Sequence, residues 1–355
     1  MIKHEFKKLL RNRFFVFFLI VFLIGNAFCI YKREYSYIVK KEGKYWKQYN
    51  DDYIKVKGVI TKDKLQYAKN LNPEMSLYGG SELYRKMVQA LEYEGVTDEI
   101  ATNADRNISV YNKLDEQEKV SENTYIKNSF KERKISEYYS NDGIDEYFTY
   151  DYSTAMVMVL ILIAVITLVF NDKQIGMDRI VRTSKLGEAY IKGIRTTMIV
   201  TVGMVLMCLF RVMEYFVYNT IYQFDGLHMP LYSVYEYKNT LYMGTIGKYL
   251  LTDIGLKCIG ILLLTLIAVV LAYLIKNHGM ALISMVTVYV SFVILSLRNS
   301  EIYTPIKLLD GYVNVKSNNI VCWGNMCFTE LDCTIAISLV LIGVLLLCIR
   351  QIKEK

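Results

Sequence analysis

Residues 153–170 have the sequence STAMVMVLILIAVITLVF, an uncharged run of 18 residues. A helix needs about 17–25 predominantly apolar residues to cross the hydrocarbon core of a bilayer. Four more uncharged runs occur, at 14–30, 258–275, 279–297 and 333–349. These runs exclude a soluble enzyme, and the low contents of Gly (20), Pro (3) and Cys (7) in 355 residues exclude collagen-like and disulfide-stapled proteins.

A sixth apolar segment, 196–218, is interrupted only by Arg211 and Glu214. The sequence therefore predicts an all-α polytopic membrane protein with six transmembrane helices. The predicted spans are 14–30, 153–170, 196–218, 249–275, 279–297 and 331–350. The first is interpreted as a retained anchor, because the residues after it, Cys29-Ile-Tyr-Lys32, lack the small-residue pattern of a signal-peptide cleavage site.

The segment 31–152 between the first two spans is polar and 122 residues long. Apolar residues at helical spacing follow Thr61 and Ser81, which indicates a mostly helical domain with helices beginning there. The segment contains 17 tyrosines. Two interpretations of them are open: half-buried rings that pack a thin domain, or an aromatic ligand-binding surface.

Lys and Arg residues predict the orientation. The tail 1–13, the loop 171–195, Lys276 and the C-terminal end contain 15 of them, against five in the loops 219–248 and 298–330. The positive-inside rule then places both termini, including the tail 351–355, in the cytoplasm and residues 31–152 outside, in a multi-pass protein of the cell membrane. The net charge of +7 belongs to the cytoplasmic face, since the outer segment has 20 basic and 22 acidic residues. The predicted surroundings are thus a lipid bilayer, and no nucleic acid partner is expected.

Several kinds of chemistry are absent from the sequence. Neither Gly79-Gly80-Ser81 nor Gly187-Glu188-Ala189 continues into a phosphate-binding P-loop, and no G-x-S-x-G motif is present. The three histidines are far apart in sequence and predicted on both sides of the membrane, which argues against a zinc site. We expect no catalytic, cofactor-binding or metal-binding residues on this chain.

Two charged pairs lie in or beside predicted spans. Arg211 and Glu214 are three residues apart, and Asp253 and Lys257 are four apart, so that each pair shares one helix face. Ionisable groups at membrane depth are costly and are functional candidates by default. The alternatives are self-neutralising pairs that snorkel to the outer interface, and a polar gate that lines an outward pathway.

Two cysteines differ from the rest, which lie mostly in spans as apolar residues. Cys322 and Cys327 flank Trp323 and Gly324 in the predicted outer loop 298–330. In an oxidising compartment they can form a small loop disulfide, provided that their Cα atoms are close enough.

Two short cytoplasmic segments have amphipathic patterns. Residues 2–13 place Ile2, Phe6, Leu9 and Leu10 on one helical face with basic residues around it, which suits a helix in the membrane interface or a basic stop that orients the anchor. The loop 171–195 can form a short helix with an apolar side and an Asp178–Arg182 pair. Such a helix offers a surface to a soluble partner.

Four motifs in this order carry a family resemblance: Glu5-Phe-Lys-Lys-Leu-Leu-Arg-Asn-Arg13, Gly58-Val-Ile-Thr-Lys-Asp-Lys64, Phe130-Lys-Glu-Arg-Lys-Ile-Ser-Glu-Tyr-Tyr139, and the acidic Gly-Met loop at 172–177. With six spans and this charge distribution, the chain resembles the permease subunit of ABC-2 type ABC transporters, of the Firmicutes kind with an extracellular domain between the first two spans. The likeness extends over roughly the first 195 residues; the last three spans fit in number and topology. Many permeases of that family have Glu before the loop glycine and Gly-Arg near the end of the loop, where this chain has Asp172 and Gly187-Glu188.

The resemblance implies a transport subunit that is not itself an enzyme. It implies a partner ATPase that binds ATP and Mg, and a second permease chain, identical or different. It also implies that the cytoplasmic loop is a coupling helix seated on the ATPase. The implied coupling residues are Asp172, Gln174, Ile175, Gly176, Met177, Asp178, Arg179, Ile180, Arg182, Leu186 and Gly187.

Two other classes of function are considered. A polytopic sensor or scaffold with an extracellular ligand-binding domain explains the large outer segment equally well, but it does not account for six spans. A membrane-embedded enzyme lacks a convergent catalytic set. The ATP-driven exporter that the resemblance implies is therefore the expected function.

Overall fold

The computed structural model describes residues 2–41, 44–71, 80–131, 133–170, 187–275, 277–298, 303–310, 319–324 and 326–352. Within these ranges the chain is mostly helical, and two short antiparallel ribbons are the strands present. Six of the described helices are long and apolar enough to cross a membrane. The predicted fold class, an all-α polytopic membrane protein, is confirmed.

The six spans have clear bounds. The predicted segments lie inside these helices, except that Ile275 follows the end of the fourth. The second helix ends in a π-helical turn, Ile166–Phe170. In chain order the spans are Arg13–Arg33, Tyr152–Phe170, Gly187–Tyr222, Ile246–Leu274, His278–Arg298 and Glu330–Gln351.

The second, third and fourth spans form the centre of the bundle, and the other three are largely exposed at its edge. Close packing is possible because Gly203 of the third span faces Ile161 of the second and Thr265 of the fourth. A Cβ built at Gly203 lies 3.2 Å from atoms of both side chains. Small residues at such contacts let the helix backbones approach closely, as is common in membrane bundles.

We call the end where the polar segment joins the bundle the polar end, and the opposite end the basic end. At the basic end, the helix Ile2–Arg11 packs beside the first and third spans and the π-helical turn, with Leu9 buried. Asn12 begins the first span: its Oδ1 accepts a hydrogen bond from the Phe14 backbone N–H at 3.0 Å, and its Nδ2 donates to Thr167 Oγ1 at 2.6 Å. The amphipathic N-terminal helix is therefore attached to the bundle through a side-chain contact with the second span.

The polar segment is mostly helical, as the sequence predicts. Thr61 is the N-cap of one helix, and the longest helix begins at Gly80, one residue before the expected Ser81. A two-residue ribbon pairs Gly58–Val59 with Glu137–Tyr138. The helices are Tyr35–Lys41, Lys44–Val56, Lys62–Lys69, Gly80–Lys113, Gln117–Phe130 and Ile144–Phe148.

Tyrosines join the polar segment to the bundle. Tyr147, Tyr150, Tyr218 and Tyr249 are buried in one cluster with aliphatic residues of the loop between the third and fourth spans. Their rings meet mostly edge to face, for example Tyr147 and Tyr218 at 5.9 Å between centroids. Rings that pack a core support the first interpretation for part of the 17 tyrosines of residues 31–152. The buried ones in the described part of that segment are Tyr49, Tyr53, Tyr93, Tyr138, Tyr147 and Tyr150.

Arg133 fastens the pair of helices Gly80–Lys113 and Gln117–Phe130 to that loop. Its guanidinium is buried over the ring of Phe130, at 4.2 Å, and the ring of Tyr232, at 4.9 Å. Its Nε donates to the Ser129 carbonyl at 2.6 Å. Among the residues that the structure describes, no carboxylate pairs with Arg133, so the charge is stabilised by aromatic faces and a carbonyl.

Gly203 provides a test of this packing. We expect Gly203→Leu to destabilise the folded protein by about 1–3 kcal/mol, because the added side chain overpacks the contact between three spans. Gly193→Leu on the same helix is the control, since nothing lies within 4 Å of a Cβ there. Helix propensity changes equally at both sites. Denaturation midpoints in detergent compare the two variants, and equal midpoints would contradict this packing.

Candidate functional site

The third and fourth spans share a buried ionic contact. Arg211 Nη1 donates to Glu214 Oε2 at 2.8 Å, and Arg211 Nη2 donates to Asp253 Oδ2 at 2.7 Å. All three side chains are completely shielded from solvent within the protein. Arg211 therefore joins the two predicted charged pairs into one network that is buried within the protein.

Lys257 extends the network towards the second span. Its Nζ lies 2.6 Å from Asp151 Oδ1 and 3.9 Å from Asp253 Oδ1, and it also donates to the carbonyl of Leu309. The Lys257 side chain is fully buried, whereas that of Asp151 is 38% exposed. Asp151 is thus the point at which the network meets the surface of the protein.

The first span contributes an amide. Asn26 is fully buried, and its Nδ2 donates to Glu214 Oε1 at 2.8 Å. The Tyr150 hydroxyl donates to Asn26 Oδ1 at 2.5 Å, and the Tyr150 carbonyl accepts from Arg211 at 3.3 Å. The guanidinium also lies over the ring of Tyr147, 4.0 Å from its centre. The network therefore connects residues of the first four spans and their flanks.

The network lies inside the polar end of the bundle. Asp253 is seven residues from the start of the fourth helix, and Arg211 is eleven from the end of the third, or about 10 and 17 Å along the axes. Within the described residues, Arg211 Nε and Asp253 Oδ1 have no hydrogen-bond partner. These side chains form a buried polar network in which every charge has an opposite charge nearby.

A second polar cluster lies next to the network, closer to the ends of the first and third spans at the polar end. Tyr222 donates its hydroxyl hydrogen to Glu34, which is buried directly after the first span, and Arg33 pairs with Glu146. Burial raises the pKa of Glu34, partly offset by the hydrogen bond from Tyr222; the Glu146 charge raises it further. The cluster ties the polar segment to the ends of the first and third spans.

Sequence reasoning missed part of the site. Arg211, Glu214, Asp253 and Lys257 were candidates, but Asn26, Tyr150 and Asp151 were not. Asn26 had a recognisable signal, because it is an amide inside an otherwise apolar run. Tyr150 is 124 residues from its partner Asn26, and Asn26 is 188 residues from its partner Glu214. Patterns of residue spacing give no information about contacts at such separations.

The coupling segment can be located only by its ends. Phe170 closes the second span, and Gly187 begins the third helix. The predicted coupling residues Asp172, Gln174, Ile175, Gly176, Met177, Asp178, Arg179, Ile180, Arg182 and Leu186 lie outside the described residues.

Cys322 and Cys327 are joined by a disulfide in the structure. They are directly opposite each other in a ribbon that pairs Ile320–Trp323 with Met326–Thr329, and their Cα atoms are 4.1 Å apart. Elsewhere in the described part of the chain, no three His, Cys, Asp or Glu side chains come together as a metal site.

Comparison with known proteins gives no relative: no family model matches the chain, and no curated protein or solved structure is significantly similar to it.

The network leads to a stability prediction. We expect Arg211→Met to destabilise the protein by about 3–5 kcal/mol, since removing one partner leaves buried carboxylates uncompensated. Lys248→Met, at an exposed lysine of the same end of the bundle, is the matched control. Thermal unfolding in detergent measures both variants, and adding Glu214→Gln to Arg211→Met should recover part of the loss. A midpoint for Arg211→Met equal to that of the control would show that the charges are not energetically coupled.

Proposed function

We propose that this chain is the permease subunit of an ATP-driven exporter in the cell membrane, coupling ATP hydrolysis on a separate ATPase to substrate movement. The observation that carries the proposal is the third helix, Gly187–Tyr222. It begins at Gly187, within the predicted coupling loop 171–195, at the basic end, and carries Arg211 and Glu214 into the buried network. A displacement of its first turn therefore acts directly on the network.

The charge arrangement suits a gate. Arg211 and Glu214 neutralise each other on the third span, and Asp253 and Lys257 are an opposite pair on the fourth. When the two helices separate, each charged side chain still has an oppositely charged partner on its own helix. The ion pair that is lost is the one between Arg211 and Asp253. The partners that remain reduce the cost of opening compared with a single buried pair split between two helices, whose charges would remain uncompensated.

Contacts at the basic end support a docking role. The N-terminal helix packs beside the third helix, and Lys192 donates to the carbonyl of Ile352 at 3.1 Å. The coupling segment therefore leads into a packed platform formed by both ends of the chain. A bound ATPase transmits force through such a platform only if it binds one arrangement of the spans better than another.

The proposed orientation puts the polar segment outside. The Cys322–Cys327 disulfide supports it, because disulfides persist in oxidising compartments and this one precedes the sixth span at the polar end. The excess of basic residues at the other end supports the same orientation.

Capture of the ATPase tests the proposal. We expect the membrane-extracted protein to co-purify with a P-loop ATPase, and the double variant Gly176→Asp and Ile180→Asp to lose it, because charge disrupts an apolar contact of the coupling helix. Mass spectrometry identifies the partner, and ATP hydrolysis by the purified complex confirms its activity.

The control is Tyr235→Asp, which adds a charge at an exposed position of the polar end. It should retain the ATPase. If the unaltered protein brings down no nucleotide-binding partner, the exporter proposal is wrong, and a signalling partner in its place would favour the sensor or scaffold.

Cysteine labelling tests the orientation. A membrane-impermeant maleimide should label Tyr235→Cys in intact cells, whereas Lys7→Cys should be labelled only after permeabilisation. The unaltered chain, with its own span cysteines, gives the background. The reverse pattern would place the polar segment in the cytoplasm.

A further inference from the structure

A disulfide-closed ribbon precedes the sixth span. Its strands pair Val321 with Phe328 and Trp323 with Met326. Thr329 ends the second strand and is also the N-cap of the sixth span, accepting a hydrogen bond from the Asp332 backbone N–H at 3.2 Å. The ribbon is therefore continuous with a membrane-crossing helix.

The two faces of the ribbon differ. Side chains alternate along each strand, and the residues on the disulfide face, Ile320, Cys322, Cys327 and Thr329, are half-buried. The ribbon packs against the helix Gln117–Phe130 of the polar segment, and half-burial assigns that contact to the disulfide face. The other face points away from the polar segment.

That other face is bare and apolar. Trp323 is 86% exposed, Met326 68%, Val321 52% and Phe328 41%. None of the four carries a charge, and cross-strand pairing makes them one contiguous patch. Contiguous exposed apolar patches indicate an interaction site.

We propose that this face of the ribbon inserts into the headgroup and upper acyl region of the lipid leaflet at the polar end. Three features support lipid as the occupant. The face belongs to a ribbon that runs directly into a span. It contains a tryptophan, a residue enriched at membrane interfaces, and no charge. It lies on the side opposite the polar segment.

The dimensions agree. A four-residue strand is about 13 Å long, and the interfacial layer on each side of a bilayer is about 5–8 Å thick. A ribbon lying flat under the polar segment keeps all four side chains within that layer. The disulfide holds the strands together, so the patch is presented as one rigid surface beside the sixth span. The inference concerns this chain alone and does not depend on the proposed function.

Tryptophan fluorescence tests the insertion, because the chain has two tryptophans, Trp46 and Trp323. The full-length Trp46→Phe variant reports Trp323 alone in phosphatidylcholine vesicles. We expect the emission of Trp323 to lie at shorter wavelength than that of the unfolded chain in water. Its intensity should fall in vesicles of lipids brominated near the headgroup, and aqueous iodide should quench it little.

The matched control is Trp323→Phe, which reports Trp46. That ring packs against Tyr37 and Tyr49 of the polar segment and should be unaffected by brominated lipid. Should Trp46→Phe fold poorly, subtracting the Trp323→Phe signal from that of the unaltered chain gives the same readout.

Other outcomes overturn the proposal. Strong iodide quenching of Trp323 without bromine quenching would mean that the face meets water. Protection from both quenchers that depends on the protein-to-lipid ratio would mean that a second copy covers it. Protection from both at every ratio would mean that protein, not lipid, covers the ring.

Discussion

Arg211 donates through one guanidinium nitrogen to Glu214 and through another to Asp253, and this double contact constrains much of the bundle. A guanidinium buried among apolar helices must be paired, because an uncompensated charge there is strongly destabilising. The contact fixes how the third and fourth spans are rotated about their axes, since Arg211 must face the fourth span. The side of the third span with Val205, Leu209, Val212 and Phe216 is then the exposed, lipid-compatible side.

The same contact explains the chemistry around it. Glu214 has a second oxygen to satisfy, which Asn26 of the first span supplies with an amide donor. Asn26 in turn requires a donor for its own oxygen, which comes from the Tyr150 hydroxyl. A tyrosine suits this position because its ring packs in an apolar core while its hydroxyl completes a polar network. The tyrosine-rich core at the polar end thus closes the bundle over the network and supplies the hydroxyl that Asn26 requires.

The fold could be predicted because uncharged runs of about 17–19 residues have few alternatives to membrane helices. The spans extend beyond the predicted segments, as at Arg13 and Arg33, because helical hydrogen bonding continues past the apolar residues. Within the candidate site, the pairs at three- and four-residue spacing were visible, since helix geometry alone sets their contact. The link between them was not, because Arg211–Asp253 depends on how two helices are rotated against each other. The ribbon at 320–329 was also missed, because each strand has only four residues and such a short run barely reveals an alternation of side chains.

The length of the third helix bears on how the proposed coupling operates. Its 36 residues extend about 54 Å, more than the roughly 40–45 Å of a bilayer with its headgroups. A continuous helix of that length transmits a displacement of one end to the other. Because Glu214 travels with Arg211, the charge stays compensated as the helix moves. Asp253 stays with Lys257, which itself pairs with Asp151, the residue directly before the second span. The moving part of such a gate is therefore the third span with its own ion pair. The stationary part is the second and fourth spans joined through Lys257, and among the described residues the ion pair between the two parts is the one that Arg211 makes with Asp253.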